Sequence, residues 1–590
     1  MRTRKAKDRS RLIKAAMGEI PCQLTIGNVR YFNVFTGEIY PAEVDILDGF
    51  VVRVREEGQQ APLPAESRYD GGGNYLIPGF IDTHMHVEST MMIPENLSRA
   101  ILPWGTTTIC TDPHEIANVM GIDGVKFMLE NAKRSALRQY VLAPSCVPAV
   151  PGMESTGAVF GAKEIGELLD LDDVVGIAEI MDFVGVFQDS PRMHSIIDEG
   201  EKRDMYLQGH APYVSGKELA AYRVGGPKSD HESVTADEVR EKLRCGIHVN
   251  LRASSLIDNL TDLVDGFRDH PWQDFVSICT DDVHAKDLLT TGHINRVVRK
   301  AVQAGLDGRA VIKMATLNAA REYHFDDLGA VAPGYIADIQ LVKDLDGSQP
   351  LAVFAEGRLV AENGKYLGGD FLEKPHDFPN TVNVPQLRSA DDFRMRVPEG
   401  WQGSTIPVRV LVPQDMGRVL RTTKTVDLPV RDGAVDISGH PELLFVAVAN
   451  RYGTGGKTIA VYESFGLERG ALASTISHDS HNLTVAYRDP DSAFLAAETL
   501  ARCGGGVCAV ENGKAACLPL PVAGLMSQEP CGKLSEQIGQ VQTALNAISD
   551  GTVKLLETAI LSLPVLPSTV TTDMGLVDGL TQTFVPVFDI

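Results

Sequence analysis

Apolar residues recur along this chain with one period before residue 76 and another after it. From about 20 to 75 the alternation is strand-like. Val44 and Ile46, then Phe50, Val52 and Val54, flank an Asp48-Gly49 pair. Strand side chains alternate between faces, and Asp-Gly between two such runs predicts a hairpin. From about 76 to 330, short apolar runs alternate with stretches of helical period. Strands are predicted at Thr106–Cys110, Tyr140–Ala143, Val174–Glu179, Tyr206–His210, His248–Leu251 and Phe275–Thr280. Helices are predicted at Gly121–Arg134, Ala162–Leu169, Ser190–Arg203, Thr235–Arg244 and His293–Ala304. Repeated βα units over about 250 residues predict a (β/α)8 barrel of the TIM type, with a doubly wound sheet as the competing arrangement.

The same pattern divides the chain. Residues 1–75 read as an N-terminal helix and the first part of a small β domain, and 76–332 as the barrel. Residues 333–370, opening on Pro333-Gly334-Tyr335-Ile336-Ala337-Asp338, return to β character and complete the small domain as a β-sandwich built from segments flanking the barrel. A Pro-, Asp- and Asn-rich stretch from Leu367 to Asn383 reads as a linker. Residues 384–590 read as a separate C-terminal α+β domain. More than one core is required, since a single core seldom grows beyond roughly 250–300 residues.

Composition narrows the partners. The chain has 590 residues, 44% hydrophobic and 23% charged, which describes an ordinary globular protein. A net charge of −23 argues against a nucleic-acid backbone and for a neutral or cationic small molecule. No stretch is apolar enough to span a membrane, and the basic segment Arg2–Lys14 lacks a following apolar region, so it reads as a solvated helix. Nine scattered cysteines without a CxxC pair read as reduced thiols in a cytoplasmic protein. A homo-oligomer, dimer or larger, is the general expectation for a soluble enzyme.

The chemistry lies at the predicted strand ends. In Pro78-Gly-Phe-Ile-Asp-Thr-His-Met-His-Val-Glu, His84 and His86 stand two apart after an apolar run. Residues i and i+2 of a strand point the same way, which suits two imidazoles holding one metal ion. Further ends carry Asp112, His114 and Glu115, then Glu179, His210, and the Asp281-Asp282 pair, with His231 in Ser-Asp-His-Glu. Barrel enzymes place their working residues at the C-terminal ends of strands. Imidazoles with carboxylates are the ligands that Zn, Mn or Fe take. Glu88, His114 and Glu115 are polar, near strand ends, and candidates for proton transfer to substrate. His478 and His481 stand three apart, a spacing that would share a helix face. They read as another metal site, as side chains reaching a neighbouring active site, or as a polar loop against the barrel mouth.

These motifs carry a resemblance. Pro78-Gly-Phe-Ile-Asp-x-His-x-His is similar to the amidohydrolase superfamily, as is Gly334-Tyr-Ile-Ala-Asp-Ile. More narrowly the chain resembles the prokaryotic adenine deaminases. The matching strings are Asn33-Val-Phe-Thr-Gly-Glu-Ile, His84-Met-His-Val-Glu-Ser, Thr111-Asp-Pro-His-Glu-Ile-Ala-Asn, Ser145-Cys-Val-Pro-Ala, Gly209-His-Ala-Pro, Ser229-Asp-His-Glu, Cys279-Thr-Asp-Asp and Ser477-His-Asp-Ser-His-Asn. The resemblance implies hydrolytic deamination of adenine to hypoxanthine and ammonia by a hydroxide bridging two divalent metals, manganese or iron rather than zinc. It implies that His84 and His86 hold one metal, that Glu179 bridges, that His210 and His231 hold the second, and that Asp281 touches a metal and moves protons. Asp282 is a neighbour of less defined role. Another amidohydrolase activity on a related nucleobase or cyclic amide is the alternative, and a non-catalytic scaffold the reading furthest from the residues.

Overall fold

The structure, a computed structural model, describes residues 8–59, 61–255, 258–368, 377–414 and 420–590. Much of the predicted linker (369–376) and of the basic N-terminus (1–7) lies outside the described residues. The chain forms two compact units. One comprises Met1–Pro113, Phe127–Pro144 and Gly161–Glu373, and the other His114–Lys126, Ser145–Phe160 and Lys374–Ile590.

The first unit is built on eight short parallel strands: β1 (Phe80–Met85), β2 (Thr106–Thr111), β3 (Arg138–Ala143), β4 (Val174–Ile180), β5 (Tyr206–Gly209), β6 (Ser229–Asp230), β7 (His248–Arg252) and β8 (Val276–Cys279). Strands β1–β5 form one sheet and β6–β8 a second, each in chain order. Backbone hydrogen bonds join the two into a ring. Lys228 N–H donates to the Leu207 carbonyl (2.9 Å) where β5 meets β6, and Asp281 N–H donates to the His84 carbonyl (3.0 Å) where β8 returns to β1. The sheet therefore closes as a TIM-type barrel, which leaves no free edge. Helices Ala162–Leu169, Pro191–Glu201, Ala236–Arg244 and Ile294–Gln303 lie within two residues of their predicted bounds.

Two glycines set the spacing of the ring. A Cβ at Gly79, just before β1, would lie 2.2 Å from Thr107 Oγ1, and one at Gly209 would lie 2.1 Å from the Ser229 carbonyl oxygen. Both seams thus need the bare backbone. Apolar side chains from β7, β8 and the following helices, among them Val249, Leu251, Ile278, Val297 and Val298, pack into one buried cluster.

The segments flanking the barrel pair with each other. Strands Cys22–Phe32, Ile39–Leu47, Phe50–Glu56 and Ala65–Pro78 join Ile339–Val342, Ala352–Ala355, Arg358–Glu362 and Lys365–Tyr366 in one eight-stranded sheet. The predicted Asp48-Gly49 turn is the hairpin between Leu47 and Phe50. Strand Ala65–Pro78 runs on through Gly79 into β1, so the small sheet anchors the strand that carries the His-x-His pair.

The predicted helix Gly121–Arg134 follows directly on a shorter one. The helical run spans His114–Ala132 and is broken at Gly121, whose φ of 61° is not helical, so two helices meet there. The second of them lies within two residues of the predicted bounds. His114 and Glu115 stand in the first turn of the other. The second unit holds a nine-stranded sheet of Thr405–Pro413, Arg421–Arg431, Ala434–Val435, Leu443–Ala449, Lys457–Glu463, Ala471–Ser474, Leu483–Tyr487, Gly506–Glu511 and Lys514–Pro519. Helix Pro490–Cys503 packs on it through Ala493, Ala496, Ala497 and Leu500.

Gly79→Ala tests the close approach beneath β1. It should cost about 1–3 kcal/mol of stability, seen as a lower urea midpoint; an unchanged midpoint would contradict the stated contact.

Candidate metal centre

The strand ends of the first unit bring six predicted residues together: His84, His86, Glu179, His210, His231 and Asp281. All are buried except His210, which is 12% exposed in its side chain. Glu179, near the end of β4, stands between two pairs of imidazoles. Its Oε1 lies 3.4 Å from His86 Nε2 and 4.0 Å from His84 Nε2. Its Oε2 lies 2.6 Å from His210 Nδ1 and 3.2 Å from His231 Nε2. Asp281 Oδ1 faces the first pair, at 3.5 Å from His84 Nε2 and 3.2 Å from His86 Nε2.

Hydrogen bonds behind the first pair decide which way its lone pairs point. Gln208 Nε2 donates to the Thr83 carbonyl (3.1 Å) and to Tyr323 Oη (2.8 Å), so its Oε1 is left to accept from His84 Nδ1 (2.8 Å). The Asp112 carbonyl can only accept, so His86 Nδ1 donates to it (3.0 Å). In the neutral rings both Nε2 lone pairs therefore face the Glu179 and Asp281 oxygens. His84 Nε2 is buried without a hydrogen-bond partner. Lone pairs aimed at carboxylate oxygens repel unless a cation lies between them. This donor set, imidazole nitrogen and carboxylate oxygen, fits a divalent metal.

The electrostatics follow from the same neighbours. Burial alone would raise the Glu179 carboxyl, but His210 charge and hydrogen bonds from His210 and His231 hold it well below the usual carboxylate range. Burial likewise opposes ionisation of Asp281, and His84, His86 and Arg252 overcome it, again holding the group low. Burial works to lower His210, but Glu179 and Glu232 raise it to about 9.

Several residues not singled out in the sequence shape this site. Arg252, at the end of β7, is buried, contacts Glu232, and donates to Asp281 Oδ2 at 3.0 Å. The strand-end rule that found the other residues would have found it too, had basic side chains been counted. Asp230 beside His231 accepts from Lys242 Nζ (2.8 Å), Ser233 Oγ (2.8 Å) and Ala211 N–H (2.8 Å), so it ties the residue after His210 to the residue before His231. Burial would raise the Asp230 carboxyl, but Lys242 holds it well below its usual value.

The remaining predicted residues are placed as follows. Glu88 is buried in a single 3-10 turn, Glu88–Thr90. Ser89 Oγ of that turn donates to Asp282 Oδ1. His114 and Glu115 belong to the second unit, where His478, Asp479 and His481 gather near them. His478 and His481 do not share a helix face. They occupy a turn between strands Ala471–Ser474 and Leu483–Tyr487.

A closed βα barrel with imidazoles and carboxylates converging at its strand ends defines a metal-dependent hydrolase of the amidohydrolase class. Residues 75–360 match the amidohydrolase family, and residues 418–583 match the adenine deaminase C-terminal domain. The chain is 38% identical to adenine deaminase 2 of Carboxydothermus hydrogenoformans, over 98% of this chain and 99% of that one. It is 37% identical to the adenine deaminase of Moorella thermoacetica, over 96% of each chain. It is also 37% identical to the adenine deaminase of Methanothrix thermoacetophila, over 98% of this chain and 99% of that one. The chain belongs to the adenine deaminase family of amidohydrolases. Among the described residues no helix is long and apolar enough to cross a membrane.

Lys242→Ala should strand the buried Asp230 carboxylate. A loss of about 3–5 kcal/mol is expected, measured by chemical denaturation, together with lower metal content, because both neighbouring imidazoles lose their anchor. Wild-type stability in this variant would count against the network.

Proposed function

We propose that this protein is an adenine deaminase, converting adenine and water to hypoxanthine and ammonia. Full-length relation to proteins named adenine deaminase carries the choice of substrate. The division of Glu179 between two pairs of imidazoles supports a centre of two divalent cations. On this reading His84 and His86 hold one ion with Asp281, His210 and His231 hold the other, and Glu179 is shared. Nitrogen and oxygen donors without a thiolate suit manganese or iron. Bound there, such ions lower the pKa of water towards about 7 and make hydroxide available at neutral pH.

The chain's own groups handle the protons. The water oxygen adds to C6 of the purine, the bond from C6 to the exocyclic nitrogen breaks, and ammonia leaves. Of the two water protons, one must end on the departing nitrogen and the other on N1. Asp281 carries the first: Arg252 occupies its Oδ2, so Oδ1 is the oxygen turned to the His84–His86 pair. Glu88 is the candidate to serve N1. Its turn is fastened to Asp282 through Ser89, which gives Asp282 a positioning part. His114 and Glu115 are the other candidates for N1.

The same reading takes the flanking sheet as a small β-sandwich and residues 384–590 as the α+β domain of this family. Nine free cysteines support a cytoplasmic setting. A homo-oligomer remains the expected assembly.

Ammonia release from adenine, adenosine, cytosine and guanine, with manganese supplied, tests the activity. Adenine should be turned over far faster than the others; turnover of cytosine without adenine would overturn the assignment. Asp281→Asn should lower kcat by about 10²–10⁴-fold while the protein keeps most of its metal. Glu179→Gln should reduce bound metal per chain in elemental analysis, and full occupancy in that variant would rule out a shared carboxylate.

A further inference from the structure

The second unit gathers a different set of metal-binding side chains, none of them from the six described above. His114 and Glu115 come from the first turn of helix His114–Ala132. His478, Asp479 and His481 come from the turn between two strands of the nine-stranded sheet. All five are less than a tenth exposed. His114 Nε2 lies 3.4 Å from Asp479 Oδ1. His478 Nδ1 lies 3.8 Å from Asp479 Oδ1 and 3.8 Å from Glu115 Oε1.

A separation of 3.8 Å is too long for a hydrogen bond. It is close to the spacing of donors arranged around one ion: tetrahedral ligands about 2.1 Å from a metal stand roughly 3.4 Å apart. Asp479 Oδ2 is buried without a hydrogen-bond partner. A carboxylate oxygen buried in this way is stabilised by a positive charge beside it.

The fifth side chain takes a different part. Ser477 N–H donates to His481 Nδ1 at 3.2 Å, so the neutral ring carries its proton on Nε2. That N–H cannot ligate a cation. It lies 3.8 Å from Glu115 Oε2, while Glu115 Oε1 lies 3.8 Å from His478 Nδ1.

We propose that His114, Glu115, His478 and Asp479 form a further divalent-cation site in the second unit, with His481 beside it. The site takes two imidazoles and two carboxylates, a set that suits manganese, iron or zinc and carries no net charge once a divalent ion is bound. It uses none of the six donors described at the barrel strand ends, and its test remains decisive if the reading of those six fails.

The experiment uses the full-length protein, stripped with chelator and dialysed against manganese alone or cobalt alone, with metal counted by elemental analysis. A His84→Ala/His86→Ala/Glu179→Gln variant removes the donors of the barrel. It should still bind about one equivalent of metal per chain, and adding His478→Ala should abolish that equivalent. Cobalt in the triple variant should give visible absorption of a nitrogen–oxygen site, lost on adding Asp479→Asn, which changes one oxygen and keeps the side-chain shape. Circular dichroism confirms that each variant is folded. If a variant containing His478→Ala does not fold, the Asp479→Asn cobalt spectrum decides alone. A folded triple variant that binds no metal, or one whose metal and spectrum survive both His478→Ala and Asp479→Asn, would overturn the proposal.

Discussion

The carboxylate of Asp82 holds the seam on which the barrel site depends. It is fully buried where the first barrel strand meets the last. It accepts from His84 N–H (3.2 Å), from Thr280 N–H (3.2 Å) and from Thr280 Oγ1 (2.5 Å). His293 Nε2 stands 3.2 Å from Oδ2, the oxygen that Thr280 Oγ1 also reaches, and its Nδ1 lies 2.9 Å from Thr106 Oγ1 on β2. One side chain thus positions the backbone of His84 and of the residue before Asp281. Burial pushes Asp82 up to about 7 against the pull of those hydrogen bonds, so the seam joins a carboxyl to backbone and hydroxyl donors at the cost of its desolvation. Shift that seam by a fraction of an ångström, and the angle between the His84 and Asp281 donors changes with it.

The donors themselves are oriented from behind. Gln208 fixes His84, the Asp112 carbonyl fixes His86, and Arg252 fixes Asp281. Each of these comes from a different strand end of the barrel. Closing the sheet is therefore what makes the site: strands distant in sequence deliver the donors and the groups that support them. This is why Gly79 and Gly209, which allow neighbouring strands to approach, matter to chemistry that neither touches.

Much of this was legible in the chain because strand side chains alternate. His84 and His86 two apart, and Glu179 after an apolar run, could be assigned a common direction from spacing alone. The six βα strands predicted after residue 100 appear within two residues of their bounds. Strand β6 was not legible, since two residues, Ser229 and Asp230, carry no period. Gly121 reads as a boundary and is one, while the short helix before it, opening at His114, carries too few residues to show a period. The shared direction of His478 and His481 was misread for a related reason: a spacing of three favours a helix only where a helix forms. Arg252 and Lys242 were passed over because a basic residue reads as solvated until the fold buries it against Asp281 or Asp230.

The two neighbouring aspartates show how far residue type falls short of role. Asp281 and Asp282 are identical in chemistry and adjacent in sequence. The backbone separates them: Asp281 has φ 57°, a left-handed conformation that a non-glycine residue adopts only when its surroundings enforce it. With its N–H bonded to the His84 carbonyl, that turn aims its carboxylate at His84, His86 and Arg252. The next residue is then aimed elsewhere, toward Ser89 and the turn that carries Glu88. Contact with the histidines and support of the Glu88 turn are in this way divided between two copies of the same side chain. On the function proposed above, the donors around Glu179 bear on how water is activated, and which base is attacked is left to groups such as Glu88.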